Sequence, residues 1–349
     1  MQFQTICLIS LSLIILSLSN SAARSTNNNG NNEVIKEIPL PQVPNDFLEA
    51  YYYEHYNGVR SPLLNFVRDG DATESNSCET VTEVPEELRT VAAMRPNGLS
   101  PYYTKYTEAY GIPVVATSSV PDSALHRACY VLRFLLADRE DLRQAYYKNF
   151  GRVGIIPHES SIKTIPEYVD IDPRFALATR GLGAISLNPI STTGEENILC
   201  YEEDRSKDDL IIREVAQGIY HLAGRQIIPG LQGHLRTTYE SGTESGWWEN
   251  TYAEHSASAY FGEGVQSYFN VNAYADPADG YSNDINTRSK LRTYDSKLYN
   301  LIQSLFPCAN NYIKRCSSRG NEAYQRLRMN CSPLPMSHRG HSRRSTSLF

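Results

Sequence analysis

Apolar residues recur at helical spacing in four segments of the chain. The most regular pattern covers residues 208–222, and its apolar stripe consists of Ile211, Val215, Ile219 and Leu222. Such a stripe is typical of a helix that packs one face against a core. The same spacing predicts helices that begin near Asp122, that cover about 254–269 and that cover about 289–306.

Short apolar runs between turn residues predict strands at 114–116, 152–157, 175–179 and 184–187, with a turn at 181–183. The carboxylate pair Glu195–Glu196 lies in a polar stretch, which favours a solvated loop. The predicted strands and helices show no internal repeat.

The first apolar run has the features of a secretory signal peptide. It covers residues 6–18, which is too short to span a bilayer, and it is followed by the small residues Ser21, Ala22 and Ala23. We therefore predict a signal peptide at 1–23 and a secreted, extracellular protein. The alternative is a buried N-terminal strand or helix.

Composition divides the rest of the chain into three parts. Residues 24–75 are of low complexity and rich in proline, residues 76–316 form the predicted folded domain, and residues 317–349 form a basic tail. The net charge is −6 with charges of both signs, which gives no reason to expect a nucleic-acid partner. No later stretch is apolar enough to predict a membrane span.

Six cysteines remain after removal of the signal peptide, and an even number in a secreted chain predicts three disulfides. These cysteines are Cys78, Cys129, Cys200, Cys308, Cys316 and Cys331. Cys316 and Cys331 are expected to close a local loop, so that the tail is bridged to the domain. If all six are paired, no thiol remains as a nucleophile.

Two segments carry a resemblance to a known family. Residues 212–220 read I-R-E-V-A-Q-G-I-Y, and residues 247–270 read W-W-E-N-T-Y-A-E-H-S-A-S-A-Y-F-G-E-G-V-Q-S-Y-F-N. In order and separation they resemble the gluzincin metalloproteases, especially the anthrax lethal factor-like branch. The resemblance implies an α+β, zincin-like fold, with a mixed sheet, an active-site helix and a second ligand-bearing helix. It also makes 76–316 a metalloprotease-like domain.

In that family the first helix carries H-E-x-x-H and the second supplies a glutamate. Two histidines four residues apart lie on one helical face and bind Zn²⁺, while the glutamate between them activates the metal-bound water. The second glutamate completes three protein ligands and leaves the fourth position open.

This chain departs from the family pattern at all three ligand positions. Arg213, Gln217 and Ala259 stand where the ligands belong, whereas the base, tyrosine and second-glutamate positions survive as Glu214, Tyr252 and Glu263. Arginine offers only donors, the glutamine amide is a poor zinc ligand and alanine has no donor atom. The resemblance therefore implies a protein without zinc or another cofactor. We expect the Arg213 guanidinium to lie near Glu214 or Glu263 and to replace the charge of the metal.

Other residues leave alternatives open. His221, His234 and His255 could form a relocated metal site with Glu254 or Glu263.

Trp247 and Trp248 could line a retained substrate cleft or pack in the core.

Three functions remain open from the sequence. The first is a secreted pseudoprotease that binds an extracellular protein or matrix ligand. The second is an active zinc peptidase with an unorthodox ligand set. The third is a structural protein of an extracellular, for instance mineralised, matrix.

Overall fold

A computed structural model describes residues 67–306, except 74–77, 92, 95–96, 172–175, 177–178 and 202–207. The predicted signal peptide, most of segment 24–75 and the C-terminal tail lie outside these residues. So does the predicted pairing of Cys316 with Cys331. The proposed domain boundaries stay predictions.

The described residues contain a five-stranded mixed sheet with the strand order β1-β2-β3-β5-β4. The strands are β1 (Lys105–Ala109), β2 (Ile112–Ala116), β3 (Arg152–Ile156), β4 (Gly181–Leu182) and β5 (Ile190–Gly194). The inner strands β2, β3 and β5 are parallel, and the edge strands β1 and β4 are antiparallel to their neighbours. The predicted α+β class and the strands predicted at 114–116 and 152–157 are confirmed.

The α-helices that lie fully within the described residues surround this sheet. They are α1 (Asp122–Leu135), α2 (Glu140–Lys148), α3 (Glu195–Leu199), α4 (Leu210–Ile219), α5 (Arg225–Ile227), α6 (Leu231–Glu244), α7 (Ala257–Tyr268), α8 (Arg288–Tyr294) and α9 (Ser296–Leu305). A π-helical turn, Tyr220–Gly224, joins α4 to α5. Helices α1 and α4 pack against the sheet, and α7 packs across α4.

Local hydrogen bonds explain where two helices begin. The Ser256 hydroxyl accepts the amide of Ala259 at 3.1 Å and caps α7. The Asp295 carboxylate accepts the amide of Leu298 at 3.0 Å and caps α9. Because Asp295 caps a new helix, the predicted helix at 289–306 is two helices, α8 and α9.

Two predictions of local structure are wrong. The predicted turn at 181–183 contains strand β4, and residues 184–187 are not a strand. Most of the strand predicted at 175–179 lies outside the described residues, and Ala176 within it is helical.

The predicted solvated loop at Glu195–Glu196 is also wrong, because both side chains are buried at the start of α3. Both oxygens of Glu196 accept hydrogen bonds from Arg180, at 2.6 and 2.7 Å. A paired carboxylate can be buried where an unpaired one cannot.

A disulfide joins Cys78 to Cys129 on α1 and holds the segment before β1 against the main core. The sequence predicted that these two cysteines form disulfides but did not assign their partners. Cys200 is disulfide-bonded as well.

Within the described residues, no helix has both the length and the apolar character needed to cross a membrane.

Candidate site: a buried arginine between two glutamates

Helix α4 lies wholly inside the protein, and all ten of its residues are buried. It carries Arg213, Glu214 and Gln217. Helix α7 crosses α4 closely because Gly262 has no side chain at the crossing. A Cβ atom at Gly262 would lie 2.6 Å from Cγ of Arg213 and 2.8 Å from Nε2 of Gln217. The two motif helices are therefore in direct contact.

The Arg213 guanidinium lies between two carboxylates. Its Nη2 lies 3.0 Å and its Nε 3.1 Å from Oε1 of Glu214 on the same helix. Its Nη1 lies 3.0 Å from Oε1 of Glu263 on α7. All three side chains are at most 2% exposed, so water screens these charges little. The expected placement of Arg213 near Glu214 or Glu263 is observed with both.

Two tyrosines and an asparagine complete the surroundings of the guanidinium. The Arg213 Cζ atom lies 4.5 Å from the centre of the Tyr252 ring, within cation–π range. Arg213 Nη1 also donates to the hydroxyl of Tyr281. Asn272 Nδ2 donates to Oε2 of Glu263 at 3.0 Å, which orients that carboxylate. We call Arg213, Glu214, Tyr252, Glu263 and Tyr281 the arginine centre.

The arginine centre contains one permanent cation and two carboxyl groups. Burial raises the pKa of Glu214 to about 7, although the adjacent Arg213 opposes this shift. Burial likewise raises the pKa of Glu263 to about 6, again against the attraction of Arg213. The centre thus has a single positive charge against two carboxyl groups. Its net charge becomes more negative as the pH rises through about 6 and 7, where the two carboxyl groups lose their protons.

Gln217 and His221 hold the first turn of α7. Gln217 Nε2 donates to the carbonyl oxygen of Ser258 at 2.9 Å, and His221 Nε2 lies 3.0 Å from the Ser258 hydroxyl. Burial lowers the pKa of His221 well below its usual range, and the charge of Arg225 acts in the same direction, so the imidazole is neutral. Ala259 is fully buried one residue further on. Gln217 and Ala259 therefore contribute packing and helix-to-helix contacts.

The histidines considered for a relocated metal site are not brought together. His221 is buried, whereas His234 and His255 are exposed. Glu254 is exposed, and its Oε2 accepts the amide of Asn250. Across the part of the chain that the structure describes, no three His, Cys, Asp or Glu residues are grouped as a metal site requires.

The two tryptophans differ in their surroundings. Trp248 is 2% exposed, and its Nε1 donates to Oδ2 of the buried Asp295 at 3.2 Å. Of the two alternatives for the tryptophans, a substrate cleft or the core, Trp248 therefore lies in the core. Trp247 is partly buried, with its ring 5.5 Å from that of Tyr294.

Sequence reasoning missed Tyr281 and Asn272, which both belong to the loop between α7 and α8. They reach the arginine centre because the amide of Tyr252 donates to the carbonyl of Tyr281 at 2.9 Å and draws this loop across α7. A long loop has no periodic pattern, so nothing in the sequence indicated this return.

No protein-family model, curated protein or solved structure matches this chain. The described fold and site define an α+β protein with a buried ion-pair centre between two crossed helices.

Proposed function

We propose that this chain is a secreted pseudoprotease with a zincin-like fold, in which an arginine has replaced the zinc ion. The observation that carries the proposal is the position of Arg213 between Glu214 and Glu263, beside Tyr252. These are the three positions where the resemblance retains the family residues. A guanidinium there supplies the positive charge that the two carboxylates require.

The residues at this site do not suit a zinc ion. Arg213 has no lone pair to donate and would repel a cation. Gln217 is already engaged with the carbonyl of Ser258, and Ala259 has no ligand atom. We therefore infer that the chain does not hydrolyse peptides by the metal-dependent route of the family.

A retained sheet edge supports a role in binding. Strand β4 forms one edge of the sheet and lies directly beside the arginine centre. A Cβ atom at Gly181 would lie 3.1 Å from Cγ of Glu214. Both residues of β4 are buried. An extended peptide could therefore pair with this edge through backbone hydrogen bonds only after a covering segment moved aside. We propose that an extended segment of an extracellular protein or matrix component pairs with β4.

Two other functions remain as candidates. An active peptidase with an unorthodox ligand set would need a metal site outside the described residues. A structural matrix protein would use the same fold without a peptide-binding edge, and the fold alone does not discriminate between these functions.

The experiment combines a cleavage assay with a binding assay on the purified mature chain. A library of extended peptides should yield binders but no cleavage products. N-methylation of the alternate backbone amides that face β4 should abolish binding of a selected peptide. N-methylation of the intervening amides, which face away from β4, should leave binding unchanged. Cleavage that a chelator inhibits would overturn the proposal. Binding unaffected by methylation in either register would refute the strand-pairing mode.

A further inference from the structure

The charges of this acidic protein are distributed unevenly. Residues 285–349 contain twelve Lys and Arg but only two Asp and Glu, whereas the preceding 284 residues contain 21 and 37. The C-terminal fifth of the chain is therefore strongly basic. It begins with α8 and α9, which carry four of the twelve basic residues, and the other eight lie outside the described residues.

Helices α8 and α9 present basic and hydroxyl side chains to solvent. The exposed residues are Ser289, Arg292, Thr293, Ser296, Lys297, Asn300 and Ser304, which we call the α8–α9 face. Asp295, which lies between the two helices, is the only acidic residue from Arg288 to Leu305, and it is 1% exposed. Its carboxylate accepts hydrogen bonds from Trp248, Tyr260 and Leu298 inside the protein. The face itself therefore carries positive charge only.

The two charged side chains of the face are available to a ligand. Within residues 67–306 as described, neither Arg292 nor Lys297 forms an ion pair. Lys297 Nζ donates to the hydroxyl of Ser241 on α6 at 3.2 Å, and the Arg292 guanidinium lies 5.8 Å from the centre of the Tyr299 ring. Lys290 differs, because its Nζ lies 3.7 Å from Oδ2 of Asp284.

Tyr294 lies between Arg292 and Lys297 in sequence, at the end of α8, and it is partly exposed. Its ring lies 5.5 Å from the partly exposed ring of Trp247, with 38° between the planes. Aromatic rings next to cations and hydroxyl groups suit a ligand that has both apolar ring faces and anionic groups.

We propose that the α8–α9 face, with Trp247 and Tyr294, binds a sulfated polysaccharide. Sulfate groups would pair with Arg292 and Lys297, and sugar rings would pack against the aromatic side chains. Acidic charges more than about 8 Å from the face are screened at physiological ionic strength, whereas Glu244 and Glu249, which are exposed close to Trp247 in sequence, would weaken the binding of sulfate. The choice of an extracellular polyanion rests on the secreted location proposed above.

The test measures binding of the full-length mature chain to immobilised heparin, used as the sulfated probe, against a desulfated preparation. The variant is Arg292→Gln/Lys297→Gln, which leaves the buried residues of both helices unchanged. The control is Lys105→Gln/Lys163→Gln, which removes the same net charge from β1 and from the segment after β3. We expect wild type and control to bind heparin in a salt-dependent manner, and the variant to bind on the order of tenfold more weakly.

Each other outcome overturns the proposal. Absence of heparin binding, or equal binding to the desulfated probe, would exclude a sulfate-dependent ligand. Equal loss in variant and control would indicate a response to net charge rather than to this face. A salt-sensitive oligomer without heparin binding would mean that the face pairs with the acidic surface of a second copy. None of these results affects the zinc and peptide assays, so failure here and failure of the proposed pseudoprotease are distinguishable.

Discussion

At the scale of single residues, Arg213 is the side chain on which the interior of the protein most depends. A buried ion pair is not in itself strongly stabilising, because both charges lose their hydration. Removing one partner, however, leaves an uncompensated charge inside the protein. Arg213 compensates Glu214 and Glu263, and its ring contact with Tyr252 adds to the same interaction.

Replacing Arg213 with methionine should therefore destabilise the protein at pH 8 by about 3–5 kcal/mol. The loss should shrink on acidification, because protonation removes the unpaired carboxylate charges. Urea unfolding measures this free energy, and Arg236→Met is the control, since Arg236 is exposed on α6. A loss under about 1 kcal/mol at pH 8 would mean that Arg213 does not compensate these carboxylates.

The two glutamates also predict how stability varies with pH. Their pKa values in the folded protein, about 7 for Glu214 and about 6 for Glu263, exceed the ordinary value near 4.3. The folded state thus binds more protons than the unfolded state between these limits. This contribution is fully present below about pH 4 and is lost as the pH rises through 6 and 7.

Glu214→Gln removes one of these titrations and keeps a side chain of similar shape. We expect the free energy of unfolding to fall less steeply between pH 5 and 8 in this variant than in wild type, by on the order of 1–3 kcal/mol over the interval. Chemical unfolding at a series of pH values gives both curves. Parallel curves would contradict the raised pKa of Glu214.

At the scale of secondary structure, the crossing of α4 and α7 brings the two motif segments together. Gly262 permits it, because any larger residue would overlap Arg213 and Gln217. Gly233 on α6 offers a matched comparison, since a Cβ atom there would have no neighbour within 4 Å.

Gly262→Ala should destabilise the protein by about 1–3 kcal/mol through overpacking. Gly233→Ala should stabilise it by up to about 1 kcal/mol, because alanine has the higher helix propensity. Thermal and urea unfolding of both variants would decide the comparison. Equal effects of the two substitutions would mean that α4 and α7 do not approach as closely as described.

The sequence predicted the elements whose environment is regular. The stripe Ile211, Val215 and Ile219 predicted α4, because a helix buried against a sheet repeats its apolar contacts at every turn. Strands β2 and β3 were predictable because each is a short apolar run that is buried on both faces. The expected placement of Arg213 came from the resemblance, in which an arginine at a metal-ligand position replaces the charge of the metal.

Other features depend on contacts between distant segments and were not predictable. Strand β4 has only two residues, and one of them is Gly181, which by itself indicates a turn. The break between α8 and α9 follows from the buried position of Asp295. Glu196 looks solvated until Arg180, sixteen residues earlier in the sequence, is seen to pair with it.

At the scale of the whole molecule, the protein combines a buried ion-pair centre with a basic surface. The sheet edge at β4 lies beside the arginine centre, and the basic α8–α9 face lies on the helices that follow the loop carrying Tyr281. We propose that α4 stabilises the fold and that binding occurs elsewhere on the molecule. The main part of this proposal is that Arg213, Gln217 and Ala259 have replaced a zinc site.

Zinc content tests this claim most directly. Elemental mass spectrometry, with protein concentration measured in parallel, would be applied after dialysis to the mature chain and to the variant Arg213→His/Gln217→His/Ala259→Glu. For the wild-type chain we expect well under one zinc ion per chain. For the folded variant we expect close to one zinc ion per chain, because the substitutions supply two imidazoles and a carboxylate around the retained Glu214. One zinc ion per wild-type chain that survives dialysis would contradict the claim, as would a folded variant that binds none.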